Sequence, residues 1–194
     1  MKLAIVKYNA GNVQSLTFAL NRLGVDPILT DDPDELFSAD KVIFPGQGEA
    51  SSAMRSLKRN GLDHVLTGLK QPFLGVCLGM QLMCERTEEN HTECLGIIPI
   101  QVKRFIPNGI KVPHMGWNDI TKLNSPLLKG VQEGSYIYFV HSYYLPVCEY
   151  TTAECTYDVP FTALLQKDNF YAIQAHPEKS AEPGMAILEN FLKL

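Results

Sequence analysis

Short apolar runs alternate with amphipathic segments through the first half of the chain. Leu3-Ala4-Ile5-Val6-Lys7-Tyr8 predicts a strand and Asn9-Ala10-Gly11-Asn12 a turn. Over residues 13–23 the apolar positions Val13, Leu16, Ala19, Leu20 and Leu23 recur at helical spacing, and Gly24 closes that helix. Pro27-Ile28-Leu29-Thr30 predicts a second strand, Asp31-Asp32-Pro33-Asp34 opens a short helix, and Lys41-Val42-Ile43-Phe44 predicts a third strand. Residues 50–69 read as helix with a break near Asn60-Gly61. This alternation predicts a parallel sheet with helices on both faces.

Phe73-Leu74-Gly75-Val76 is a further apolar run, followed by helix-forming Met80-Gln81-Leu82-Met83-Cys84-Glu85. The polar stretch Arg86-Thr87-Glu88-Glu89-Asn90-His91 reads as a surface loop. Beyond Gly96 the period shortens. Strands are predicted at residues 97–100, 101–105, 111–113, 136–140, 143–145, 151–155, 163–165 and 170–174, and a last helix at residues 183–194. Short strands joined by turns favour antiparallel pairing, so the sheet is expected to be mixed. The expected architecture is a three-layer α/β/α sandwich around a mostly parallel sheet, with a small antiparallel sheet beside it.

Composition narrows the class. A chain of 194 residues suits one domain, and no repeat or linker divides it. The net charge is −4 and no basic block occurs, so nucleic acid is not an expected partner. Met1-Lys2 leads straight into a strand with no signal-peptide pattern, and no apolar run reaches membrane-spanning length. The 5 cysteines form no C-x-x-C pair and read as reduced thiols, so a cytoplasmic protein without a disulfide framework or metal site is expected. Neither G-x-G-x-x-G nor G-x-x-x-x-G-K-[ST] is present, which disfavours a nucleotide phosphate site; no cofactor is expected.

Cys77 lies between the apolar run and the helix, flanked by Gly75 and Gly79. A strand-to-helix turn this sharp requires glycine and has the form of a nucleophile elbow. There a thiol meets the free N–H groups of a first helical turn, which favour a thiolate and can hold an oxyanion. A small buried hydrophobe fits Cys77 equally well on these residues alone. Far along the chain, His176-Pro177-Glu178 follows the strand Phe170-Tyr171-Ala172-Ile173-Gln174. A histidine beside Cys77 would be its base, and a carboxylate behind it would fix the imidazole. As a tripeptide, His-Pro-Glu also fits a surface turn before a helix. Pro45-Gly46-Gln47-Gly48 falls at the carboxyl end of a predicted strand, where open α/β sheets bind ligands.

Together, Gly75-Val76-Cys77-Leu78-Gly79-Met80-Gln81 and His176-Pro177-Glu178 resemble the class I (triad) glutamine amidotransferase domain, of flavodoxin-like fold. More narrowly, Pro113-His114-Met115-Gly116-Trp117-Asn118 and Phe139-Val140-His141-Ser142-Tyr143-Tyr144 are similar to the glutaminase subunits of imidazole glycerol phosphate synthases. The resemblance implies Cys77, His176 and Glu178 as catalytic triad and the N–H groups of Leu78 and Gln47 as oxyanion donors. It implies a glutamine pocket at Gly48, Gln81, Glu89, His141, Ser142 and Tyr143. The partner it implies is a cyclase with a (βα)8 barrel, docked on Met115, Trp117, Asn118 and Tyr138 and receiving ammonia in histidine biosynthesis. The barrel is too large for this chain to contain. The family commonly has an acidic residue where Lys7 stands, valine where Gln47 stands and phenylalanine where Ala175 stands. Glutaminases feeding anthranilate, pyridoxal phosphate or purine synthesis are the nearest alternatives, and the segment at residues 113–118 argues against them.

Overall fold

The computed structural model describes residues 1–9 and 13–194. The turn expected at residues 9–12 thus lies, Asn9 apart, outside the described residues. The first half runs β1 (Leu3–Val6), α1 (Gln14–Arg22), β2 (Ile28–Thr30), α2 (Pro33–Phe37), β3 (Lys41–Phe44), α3 (Ala50–Arg59), α4 (Leu62–Gly68), β4 (Phe73–Val76) and α5 (Leu78–Met83). The second half is mostly strand: β5 (Cys84–Thr87), β6 (Thr92–Glu93), β7 (Ile98–Arg104), β8 (His114–Asp119), β9 (Tyr136–His141), β10 (Tyr143–Tyr144), β11 (Thr151–Tyr157), β12 (Val159–Lys167) and β13 (Phe170–Ile173). Helix α6 (Ala181–Leu192) closes the chain.

The central 7-stranded sheet has the order β11-β12-β13-β4-β3-β1-β2. From β13 to β2 every pairing is parallel, while β11 and β12 add an antiparallel edge. Strands β1, β3, β4 and β13 are buried along their whole length, as their continuous apolar runs require. Their side chains still alternate between faces. Leu3, Ile5, Ile43, Leu74 and Ile173 pack with Leu16 and Leu20 of α1 and with Ile187, Leu188 and Phe191 of α6. Ala4, Val6, Val42, Phe44 and Phe73 pack with Leu36 of α2, Met54 and Leu57 of α3, and Leu62 and Leu66 of α4. Two cores therefore lie on opposite faces of one sheet, which makes the three layers.

Local chemistry sets the helix ends. Asp32 caps α2, its Oδ1 accepting from the N–H groups of Asp34 at 2.8 Å and Glu35 at 3.3 Å, with Pro33 in the first turn. The break between α3 and α4 falls on Gly61, whose φ of +67° suits glycine.

Several expectations change. The elbow helix stops at Met83, and Cys84-Glu85 open β5 instead. Residues 86–91 are not a plain surface loop. Arg86 pairs with Glu93 and Gln101, and Glu89 begins a 3-10 turn (Glu89–His91). A short polar strand carries little hydrophobic alternation, which is why the pattern misses it. The strands expected at 97–100 and 101–105 are the single β7, and residues 111–113 precede β8 without joining it. The small antiparallel sheet is the β8–β9 pair. A further 4-stranded sheet, β10-β7-β5-β6, is mixed.

Candidate active site

Sheet register brings distant residues together. Strands β4 and β13 are parallel neighbours with Val76 opposite Ile173, and the Cys77 N–H donates to the Ile173 carbonyl at 2.8 Å. The residues leaving these strands, Cys77 and Gln174, therefore emerge side by side, and His176 follows two positions on. On the other side of β4, β3 ends at Phe44 and runs into Pro45-Gly46-Gln47-Gly48. The carboxyl ends of three adjacent strands thus converge.

Cys77 has φ 52° and ψ −111°, a strained conformation for a residue with a side chain. Glycines make the turn possible through close approach. A Cβ on Gly79 would strike the Phe44 carbonyl oxygen, and one on Gly46 would strike the Gly79 backbone and Leu78 Cβ. The Pro45–Gly48 loop and the start of α5 therefore touch backbone to backbone. Tyr8 donates its hydroxyl to the Pro45 carbonyl at 2.6 Å, steadying the same loop. Burial, and secondarily Cys77, keep that phenol protonated by pushing its pKa up.

The Cys77 side chain is 7% exposed and lines one cavity with His176, whose imidazole feels the sulfur. Its Sγ also lies 3.9 Å from the Val140 carbonyl and 3.7 Å from Gln174 Nε2. His176 Nδ1 sits 2.9 Å from Glu178 Oε1, so the hydrogen on that nitrogen points to the carboxylate and Nε2 is left for the sulfur. The His176 backbone is clamped as well. Its N–H donates to the Tyr138 carbonyl at 2.9 Å, and its carbonyl accepts from Ser180 Oγ at 2.6 Å. Burial works against a charged imidazole here, but the hydrogen bonds with Cys77 and Glu178 outweigh it and push the His176 pKa up to about 10. The arrangement is a thiol, a base and an orienting carboxylate in series.

A cavity of about 440 Å³ opens over Cys77. Gln47, Gly48, Leu78, Gln81, Glu89, His141, Ser142, Tyr143 and His176 all line it. Of the residues expected in the triad, oxyanion hole and glutamine pocket, only Glu178 does not; it lies behind His176. Gln81 Nε2 donates to the Tyr143 carbonyl and to Gln174 Oε1, both at 3.0 Å. Glu89 Oε2 accepts from the Ala50 N–H at 2.8 Å, at the start of α3. Burial, aided by the nearby Glu49, raises the Glu89 pKa against the lowering effect of that N–H bond.

The β8–β9 pair borders this cavity. Met115 and Trp117 are 64% and 50% exposed, and Trp117 stands opposite Tyr138 with ring centroids 6.0 Å apart. Lys179, at the cavity wall, places Nζ 6.0 Å from the Tyr138 ring centroid. Asn118 differs from its expected neighbours. Alternation along β8 turns it to the opposite face, where Nδ2 donates to the Thr156 carbonyl at 2.9 Å.

Sequence reasoning singled out neither Gln174 nor Lys179. A signal for Gln174 existed, since residues two apart on extended backbone share a face and His176 is two positions on. All 5 cysteines are free thiols. Among the described residues, no helix is long and apolar enough to cross a membrane.

The fold and this cysteine–histidine–glutamate constellation define a protein class. The chain belongs to the family described as "Glutamine amidotransferase class-I", which matches residues 5–194. Within it, the chain is 56% identical over 196 residues to "Imidazole glycerol phosphate synthase subunit HisH" of Bacteroides thetaiotaomicron, with 100% of each chain covered. It is 42% identical over 200 residues to the protein of the same name from Vibrio parahaemolyticus, covering 100% of this chain and 98% of the relative. Relatives this similar along their full length put the chain among the HisH subunits, and so among enzymes. The fold is shared with a glutamine amidotransferase of Thermotoga maritima at TM-score 0.69 and 14% identity, covering 100% of this chain and 96% of that one.

Proposed function

We propose that this chain hydrolyses glutamine and passes the ammonia to a (βα)8-barrel cyclase, in a heterodimer serving histidine biosynthesis. The observation carrying this reading is the series Cys77–His176–Glu178, with thiol and imidazole lining one cavity and Nδ1 held 2.9 Å from Oε1. Cys77 Sγ attacks the side-chain amide carbon, and the C–N bond breaks as His176 gives its proton to the leaving ammonia. The γ-glutamyl thioester is then cleaved by water, whose proton His176 takes, releasing glutamate and restoring the thiol. Glu178 keeps the imidazole oriented throughout.

The oxyanion would be met by the Leu78 N–H and, after its peptide turns, by the Gln47 N–H. Gly48, Gln81 and Glu89 line the cavity together with the 141–143 segment and would hold the amino-acid end of glutamine. The chemistry needs no cofactor. Exposed Met115, Trp117 and Tyr136 form an apolar face beside the cavity, which favours a protein partner there. Tyr138 would share that contact, with Asn118 bracing the strand from behind. The cyclase would combine ammonia with a bound ribonucleotide, giving imidazole glycerol phosphate and an aminoimidazole carboxamide ribonucleotide. A cytoplasmic location suits such a partner.

Cys77→Ala tests the assignment in the assembled complex. Glutamine-dependent synthesis should fall to background while synthesis from added ammonium salt persists. Retained glutamine hydrolysis in that variant would remove Cys77 from the mechanism. Loss of both activities would point to a structural role instead.

A further inference from the structure

We propose that Gln174 is a catalytic residue whose amide N–H donates to the Cys77 sulfur and stabilises it as thiolate, in an orientation fixed by its hydrogen-bond partners. The inference rests on the reading of Cys77 as nucleophile and extends it to a residue outside the triad.

Gln174 is fully buried, so both ends of its amide require partners. Nε2 lies 3.7 Å from Cys77 Sγ, and Oε1 accepts from Gln81 Nε2 at 3.0 Å. Oxygen and nitrogen of an amide are nearly alike in shape, so their identity follows from what surrounds them. The Tyr143 main-chain carbonyl can only accept. The Gln81 atom 3.0 Å from it is therefore nitrogen, and the same nitrogen faces Gln174. Gln174 must answer with oxygen, which leaves its own nitrogen toward the sulfur. Reversing Gln174 would set nitrogen against nitrogen at Gln81 and oxygen against sulfur at Cys77.

The Tyr143 carbonyl is itself held in place. It accepts from His141 Nδ1 at 2.7 Å. His141 Nε2 then accepts from His114 Nδ1 at 3.0 Å, and His114 Nε2 faces Asn118 Nδ2 at 3.4 Å. Burial pushes the His141 pKa down to about 3 and the His114 pKa down to about 4. Both rings are then neutral at pH 7, each with one donor and one acceptor, as this sequence of bonds demands. Two main-chain carbonyls, of Tyr143 and Thr156, thus set every direction along the series.

The consequence falls on the sulfur. A donor aimed at Sγ favours its anionic form, and here it opposes the Val140 carbonyl, which presents negative charge to the same atom from 3.9 Å. His176 supplies the base; Gln174 supplies a fixed dipole that remains when the imidazole turns its proton toward the substrate.

The test is the pH dependence of Cys77 alkylation by iodoacetamide in the parent chain, Gln174→Leu and Gln174→Glu, with the modified peptide identified by mass and Cys77→Ala as control. The midpoint should rise by about one pH unit in Gln174→Leu and further in Gln174→Glu, whose carboxylate repels the thiolate. Glutamine-dependent kcat should fall about tenfold, with KM changing less. An unchanged midpoint in either folded variant overturns the proposal, and Gln174→Glu preserves side-chain volume should Gln174→Leu fail to fold. A parent chain whose Cys77 resists a γ-electrophilic glutamine analogue defeats the nucleophile reading itself. A labelled parent with unmoved midpoints defeats only the role of Gln174.

Discussion

His176 couples the chemistry of the site to folding. Its pKa is about 10 in the folded chain, against about 6.5 for a free imidazole. Below about pH 6.5 both folded and unfolded chains hold the proton, and the full stabilisation that the charged imidazole gains in the fold is present. Between about pH 6.5 and 10 the unfolded chain releases the proton first, so that stabilisation declines and is lost above the folded value. Glu178→Gln removes part of what raises this pKa. The stability difference between parent and variant, measured by urea unfolding, is therefore expected to be largest near pH 6 and to shrink steadily toward pH 10. The same variant should lose glutaminase activity by about a hundredfold, the range for an orphaned acid–base residue. A difference that grew with pH would mean that His176 is not charged beside Glu178.

Between elements, the decisive contact is the one without side chains, where the end of β3 meets the start of α5. Gly79→Ala sets a methyl against the Phe44 carbonyl oxygen, and relief requires moving a central strand or the elbow. The expected cost is about 3 kcal/mol or more in chemical denaturation, with a fall in kcat because Cys77 moves with its helix. Elements such as β1, α1, β3, α3, β4 and α6 were legible in the chain because each strand buries a continuous run between the two cores and each helix a stripe against one of them. Strands β5, β6 and β8 were not, since they are short or polar and their pairing depends on partners distant in sequence. Cys77, His176 and Glu178 could be singled out as a candidate triad from residue types and a glycine-flanked turn. The fixed direction of the Gln174 amide could not, because it follows from carbonyls that only the folded chain places nearby.

At the scale of the molecule, the β8–β9 pair sets an apolar face beside a polar cavity. Trp117 and Met115 remain exposed in the isolated chain, at a cost that association would recover. If the proposed (βα)8-barrel cyclase docks here, Trp117→Ala is expected to weaken its binding about tenfold or more, measured by calorimetry on the purified pair. Wild-type affinity in that variant would move the docking surface elsewhere on the chain. On the proposed function this proximity would shorten the ammonia route, because Val140, paired with Met115, and Lys179, beside the Tyr138 ring, also line the cavity.

Cys77 and Leu78 are consecutive, yet their side chains enter the cores on opposite sides of the central sheet. The peptide between them is a seam. Loosening either hemisphere tilts one half of the reaction centre relative to the other, so turnover monitors whichever half gives way first. Heating or denaturant should extinguish catalysis together with the weaker half and ahead of bulk loss of helix signal, which makes the enzyme a reporter of its own earliest unfolding.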